Sequence, residues 1–362
     1  MYSVKSHFLF MGCRYRLIIL SACLLVSSVS AQSTSKDTFT NPIVAHGQDP
    51  WVVAHAGLLY YCYSTGRGIN VRVSARLELI GRGDESVLWT APDAGAYSQN
   101  VWAPEMHRIG DRWYIYFAAD DGENKNHRMY VLRSEGGDPA GPYAFVGKVA
   151  DQSDRWAIDG TVYQSDTGNL YFIWSGPPEG VPPEDVPPED ESGQQNLYIA
   201  AMSDPVTVDG QQVLISSPEF DWERVGDPDV NEGPTVLRRG DKVHVIYSAS
   251  GSWTDDYCLG RLTLVGEDPL KAGAWVKHDV PVFKKTDKVF GPGHAGFVRV
   301  DNESGSTDWI VYHAARSKGS GWDRDVRLQP FGWDDEGNPE FGEPIPAGKP
   351  IAVPTTTEHG RR

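Results

Sequence analysis

One motif recurs five times along this chain and limits what it folds into. Asn231-Glu232-Gly233-Pro234-Thr235-Val236-Leu237 leads past Gly240-Asp241 to a second β-rich run, Val243–Ser248. The pattern reads as a strand, a tight turn and a returning strand. Four more stretches have the same layout. Asp49-Pro50-Trp51 leads to Leu59–Ser64, Ala103-Pro104-Glu105 to Trp113–Ala118, Asp159-Gly160-Thr161 to Leu170–Ser175, and His294-Ala295-Gly296 to Trp309–His313. Hairpins repeating every roughly 55 to 75 residues point to propeller blades. The expectation is an all-β, five-bladed β-propeller, a single domain over residues 41–350.

Composition agrees. Aromatics make up 11% of the 362 residues, 38 glycines and 25 prolines punctuate short β-branched runs, and no long helical periodicity interrupts them. Residues 1–31 read as a secretory signal peptide. Lys5, Arg14 and Arg16 precede the apolar run Leu17–Val26, and Val29-Ser30-Ala31 supplies a small-residue exit. The run is short for a membrane span. Leu20-Ser21-Ala22-Cys23 imitates a lipid-attachment site, but its apolar run continues past the cysteine. The protein is therefore expected to be secreted or periplasmic. Loss of three basic residues with the leader takes the formal net charge from −16 to −19. Such a balance argues against nucleic acid or an anionic membrane as partner. Cys62 and Cys258 remain, in blades one and four, and are expected as free, buried thiols.

Residues 32–40 read as a flexible, polar lead-in and 351–362 as a C-terminal tail, with Ile351-Ala352-Val353 available as a closing strand. Between Pro177 and Ser192, Val-Pro-Pro-Glu-Asp occurs twice. This acidic, proline-rich insert reads as an exposed loop, or as a lid that shapes a site.

Each repeat places one residue at the start of its inner strand: Asp49, Ala103, Asp159, Glu232 and His294. In a propeller these positions converge on the axis. Three are acids, which are costly in an enclosed centre unless solvated, paired or used. Converging carboxylates push one another's pKa values apart, so that one site holds both a protonated acid and an ionised base. Glycoside hydrolysis needs such a set. Against this, Asp-Pro and Asp-Gly are ordinary turn formers, and any one of them alone is more often structural.

Taken together the motifs resemble glycoside hydrolase family forty-three, the five-bladed propeller glycosidases, over about residues 41–345. Gln48-Asp49-Pro50-Trp51-Val52, Trp102-Ala103-Pro104-Glu105, Ala157-Ile158-Asp159-Gly160-Thr161, Asn231-Glu232-Gly233-Pro234 and Gly291-Pro292-Gly293-His294 carry the resemblance. It implies an inverting enzyme with Asp49 as general base, Glu232 as general acid, and Asp159 orienting the acid and holding its pKa up. Inversion calls for working carboxyls roughly 6.5 to 9.5 Å apart. The resemblance implies no cofactor for the chemistry. It does imply a structural calcium or sodium ion at the axis near His294, whose contact with oxygen-seeking calcium could run through water, and for which the alternative is a buried histidine satisfied by hydrogen bonds. Arg324 corresponds to an arginine aimed at the bound sugar, although Arg327 could take that role and either could be a surface residue. Trp102 is the candidate apolar wall of the sugar pocket. His107 and His313 could line the site, with core roles the first expectation.

The implied partner is a carbohydrate (arabinan, arabinoxylan or a xylo-oligosaccharide), met by a monomer. The runs Trp102–Met106 and Arg327–Phe331 look most like exo-acting α-L-arabinofuranosidases. β-Xylosidase comes second, because many of those carry a C-terminal β-sandwich for which this chain has no room. Endo-arabinanase and a non-catalytic sugar-binding propeller are the remaining readings.

Overall fold

The computed structural model describes residues 37–149, 154–180, 193–302 and 305–353. The leader, residues 32–36 of the lead-in, the repeated Val-Pro-Pro-Glu-Asp segment and the tail beyond residue 353 lie outside them.

Five antiparallel sheets follow one another along the described chain, each a meander that starts at its inner strand. The inner strands are Trp51–His55, Gln99–Ile109, Ile158–Gln164, Asn231–Arg239 and Phe290–Asn302. Four return through a turn whose glycine has positive φ, at Gly57, Gly110, Gly168 and Gly240, and the fifth returning strand opens on Gly305. The returning strands, Leu58–Ser64, Arg112–Asp120, Leu170–Gly176, Lys242–Ala249 and Gly305–Ala315, contain the β-rich runs read from sequence. Blade three has an extra edge, because Thr207–Val208 and Val213–Ser216 both pair with Asn196–Asp204.

The blades close into a ring through their side chains. Five apolar clusters form, and each lies between two consecutive blades. Tyr60, Cys62 and Val71 of blade one meet Ile115 and Phe117 of blade two. Corresponding clusters join blades two and three, three and four, and four and five. The last joins five to one, with Val311, Val326 and Leu328 against Val52, Leu59 and Tyr61. A twisted sheet buries both faces only when it has a neighbour on each side, so a ring leaves no blade with an open face. Cys62 and Cys258 are free and buried within two of these seams.

The N-terminal lead-in differs from the sequence expectation. Thr38–Thr40, read as part of a mobile lead-in, form a strand that pairs antiparallel with Pro350–Ala352, two residues of which were assigned to the tail. Phe39 and Ile351 pack with Trp309 in the seam between blades five and one, and this burial holds so polar a segment in place. Asn41 continues the clasp, donating from Nδ2 to Leu328 O (2.9 Å) and accepting from Leu328 N–H (3.0 Å).

Truncation of this clasp measures its contribution. Ile351→Ala removes a buried side chain and is expected to destabilise the protein by about 2 kcal/mol, the low end for such changes because the site lies near a chain end. The check is a lower urea midpoint with an unchanged m-value.

Candidate active site

The inner strands do not enter the ring as plain β-structure. In blades two to five the inner-strand ladder is interrupted by a one-residue bulge, between Trp102 and Glu105, Ile158 and Thr161, Glu232 and Thr235, and Gly293 and Gly296, and blades two and five carry a further shift just upstream, between Gln99 and Trp102 and between Phe290 and Gly293. The residue after the leading one is left-handed every time: Ala103 (φ 43°), Asp159 (55°), Gly233 (54°) and His294 (45°). Blade one repeats the pattern with Asp49 (48°) two residues before Trp51, the first paired residue. The bulge re-aims consecutive side chains toward one end of the axis.

This register corrects the sequence frame at one position. Glu232 is not equivalent to Asp49 and Asp159. It leads its bulge, as Trp102 and Ile158 lead theirs, and Gly233 takes the left-handed position. The signal was present in the prolines, since Pro50, Pro104 and Pro234 all follow the left-handed residue. A left-handed backbone suits glycine best and a short polar side chain next, so a glutamate is better placed one residue earlier.

A bulge leaves backbone N–H groups outside the ladder, and each needs an acceptor. Here side chains supply them. Asp49 N–H donates to His313 Nδ1 (3.1 Å), Gly233 N–H to Asp159 Oδ2 (3.0 Å), and His294 N–H to Ser248 Oγ (2.8 Å). The backbone of one blade thus fixes a side chain of another.

The result is a cavity of about 630 Å³, a size typical of ligand sites. Asp49, Asp159, Glu232, His294, Trp102 and Arg324 all line it, so every candidate site residue from the sequence meets there. Asp159 and Glu232 are only 5% and 9% exposed. Trp102 presents its ring to the cavity and stacks on buried His127 at 4.0 Å. Asp120 Oδ2 lies 3.0 Å from His127 Nδ1, and Asn100 clamps both Asp120 oxygens.

The arginine alternative resolves structurally. Arg324 reaches the cavity and donates to Ser252 O (2.7 Å). Arg327 is buried away from it, held by both oxygens of Asp325. His107 is part-buried and does not line the cavity, with Nε2 2.9 Å from buried Glu105 and its ring against Trp51. His313 is fully buried, but it does more than fill space, since its Nδ1 lies 3.3 Å from Asp49 Oδ1.

Tyr257 was missed in the sequence. Its hydroxyl donates to Glu232 Oε1 (2.8 Å), and its ring stacks on His313. It precedes the third strand of its blade in an unremarkable polar run. The indirect signal is Gly293, where a Cβ would come within 2.3 Å of the Tyr257 ring.

These contacts separate the carboxyls electrostatically. Burial alone would raise the Asp49 carboxyl, but His294, His313 and Arg324 outweigh it and hold Asp49 well below the usual carboxylate range. Burial pushes both imidazoles down, His313 to about 3, against the opposing pull of the Asp49 carboxylate. Glu232 is raised to about 7, chiefly by burial. The Tyr257 hydroxyl and Arg324 pull it down, and Asp49 pushes it up. Asp159 is raised well above its ordinary range by burial, then by the charges of Glu232 and Asp49. Asp159 and Glu232 therefore titrate as a pair that retains a proton beside an ionised Asp49.

His294 is not itself a suitable direct ligand for the axial ion expected near it. Calcium takes six to eight oxygens. His294 offers nitrogen, and its Nδ1 already faces Asp49 Oδ1 at 3.2 Å. Among the described residues no group of three His, Cys, Asp or Glu side chains could hold a metal ion.

A propeller whose axis gathers one ionised and two protonatable carboxyls into a sugar-sized cavity has the equipment of a glycoside hydrolase. The chain belongs to glycosyl hydrolases family 43, whose sequence profile matches residues 39–339. It hydrolyses O-glycosyl bonds and acts on carbohydrate. It is 33% identical to an extracellular exo-α-(1→5)-L-arabinofuranosidase of Streptomyces avermitilis, over 92% of this chain and 70% of that protein. To a protein of the same description from Streptomyces chartreusis it is 34% identical, over 82% and 88%. The crystal structure of an α-L-arabinofuranosidase from Lactobacillus brevis superposes with a TM-score of 0.77 at 32% identity, over 86% of this chain and 98% of that one. No helix among the described residues is long and apolar enough to cross a membrane.

Tyr257→Phe tests the electrostatic reading. The lost hydroxyl stabilised ionised Glu232, so its removal raises that pKa. The alkaline limb of the kcat/KM–pH profile should move to higher pH, while the acid limb, set by Asp49, stays.

Proposed function

We propose that this chain is an inverting, exo-acting α-L-arabinofuranosidase. Asp49 is the general base, Glu232 the general acid, and Asp159 the group that orients Glu232 and keeps it protonated. Asp49 takes a proton from water as the water oxygen attacks the anomeric carbon. The glycosidic C–O bond breaks, and Glu232 gives its proton to the departing oxygen. Arg324 binds sugar hydroxyls beside the acid, and Trp102 meets the apolar face of the ring. No step runs through an ion.

The observation that carries this reading is the split within one cavity: Asp49 is held ionised by Arg324 and two histidines, and Glu232 is raised to about 7. The choice of arabinofuranose and of exo action is supported by the printed descriptions of the relatives. Two of these are described as extracellular, which supports secretion here together with the leader-like residues 1–31. The enzyme is proposed to work as a monomer on arabinan, arabinoxylan side chains or their oligosaccharides.

Three measurements test it. Glu232→Gln should lose about 10²- to 10⁴-fold in kcat on α-(1→5)-arabinobiose, but far less on an arabinofuranoside with an acidic phenol leaving group, which needs little protonation. Asp49→Asn should lose activity on both, and turnover surviving on either contradicts its role. Proton NMR of the first-formed sugar should show the inverted anomer, and a retained anomer sinks the water-activation mechanism.

A further inference from the structure

Trp322 has no structural reason to be where it is. It is 63% exposed, the one aromatic among the largely exposed apolar residues described. Tryptophan is normally well buried, and an exposed apolar surface fixed at a cavity rim marks a binding surface. Trp322 is fixed. Its Nε1 donates to Ser252 Oγ (3.2 Å), and its ring meets Trp253 edge-on at 6.1 Å and 72°. Trp253 in turn lies hard against its own loop, where a Cβ at Gly251 would come within 2.6 Å of the indole. Both indoles line the cavity that holds Asp49 and Glu232. The cavity is larger than a single sugar ring needs.

We propose that Trp322 and Trp253 form the platform for the sugar left behind, the unit whose oxygen Glu232 protonates. Indole faces suit the C–H faces of sugar rings, and the Nε1 bond sets the angle of the Trp322 face without using the face itself. Ser252 ties this platform to the reacting centre. Its hydroxyl accepts from Trp322 and its carbonyl accepts from Arg324, the cation beside Asp49 and Glu232. The two indoles come from loops of blades four and five, so selectivity for the leaving unit rests on side chains separate from those around the reacting sugar. The assignment rests on the glycosidase reading above and adds the determinant of leaving-group preference.

The experiment compares α-(1→5)-arabinotriose with methyl α-L-arabinofuranoside, whose leaving group is too small to reach an indole. Trp322→Ala should lower kcat/KM on the trisaccharide at least about tenfold more than on the methyl glycoside, mainly through KM. Trp322→Tyr, which keeps a ring, should recover most of the difference. Unfolding midpoints within the range of the wild type exclude a folding defect, as expected for so exposed a residue. Equal losses on both substrates, or no loss on either, overturn the platform. Failure of the wild type on both arabinosyl compounds overturns the arabinofuranosidase reading instead. The same pair of variants then decides the platform on xylobiose against methyl β-xyloside.

Discussion

The left-handed residue in each inner-strand bulge is the constraint on which the site depends. At four of the five positions it is not glycine, at a cost of roughly 1–2 kcal/mol each. Such strain persists only where the surroundings over-determine it. At Asp49 and His294 the displaced N–H groups help to do so, since each finds a side-chain acceptor, as does that of Gly233. The same device places two neighbouring residues of a strand, rather than every second one, at the mouth of the ring. An unbulged strand would send Gln48 and Asp49, or Ile158 and Asp159, to opposite faces.

The electrostatics follow from this crowding. Three carboxyls in a buried space cannot all ionise, and the order in which they do is set by neighbours. Asp49 has two imidazoles and shares Arg324. Glu232 has one phenol, and Asp159 has one backbone N–H. The number and charge of partners, more than depth, distinguish the groups. Burial opposes the charge of both histidines, and the Asp49 carboxylate beside them pulls the other way.

Much of this was legible in the sequence because it is repetitive. Hairpins with a glycine at each turn show the blade count, and the acids stand out against the repeat. The register within the repeat was harder. Glu232 was aligned by charge with Asp49 and Asp159, when the prolines at 50, 104 and 234 carried the true frame. Contacts between distant segments left no periodic trace. Tyr257 reaches Glu232 from 25 residues away, and His313 reaches Asp49 from 264 away. Arg324 and Arg327 are indistinguishable in sequence but lie on opposite sides of a functional boundary, one in the cavity and one locked to Asp325. The polar lead-in looked mobile because local composition does not reveal that Phe39 has a seam to enter.

That clasp has a topological consequence. Where Thr38–Thr40 lie beside Pro350–Ala352, the two ends of the described ring are neighbours, and the fifth seam is built like the other four. The ring thus has no privileged starting blade. A circular permutant, with these strands linked and the backbone cut at the exposed Gly110-Asp111 turn, would keep every seam and every bulge. The chemistry then depends on the order of the blades around the axis and not on their order along the polymer.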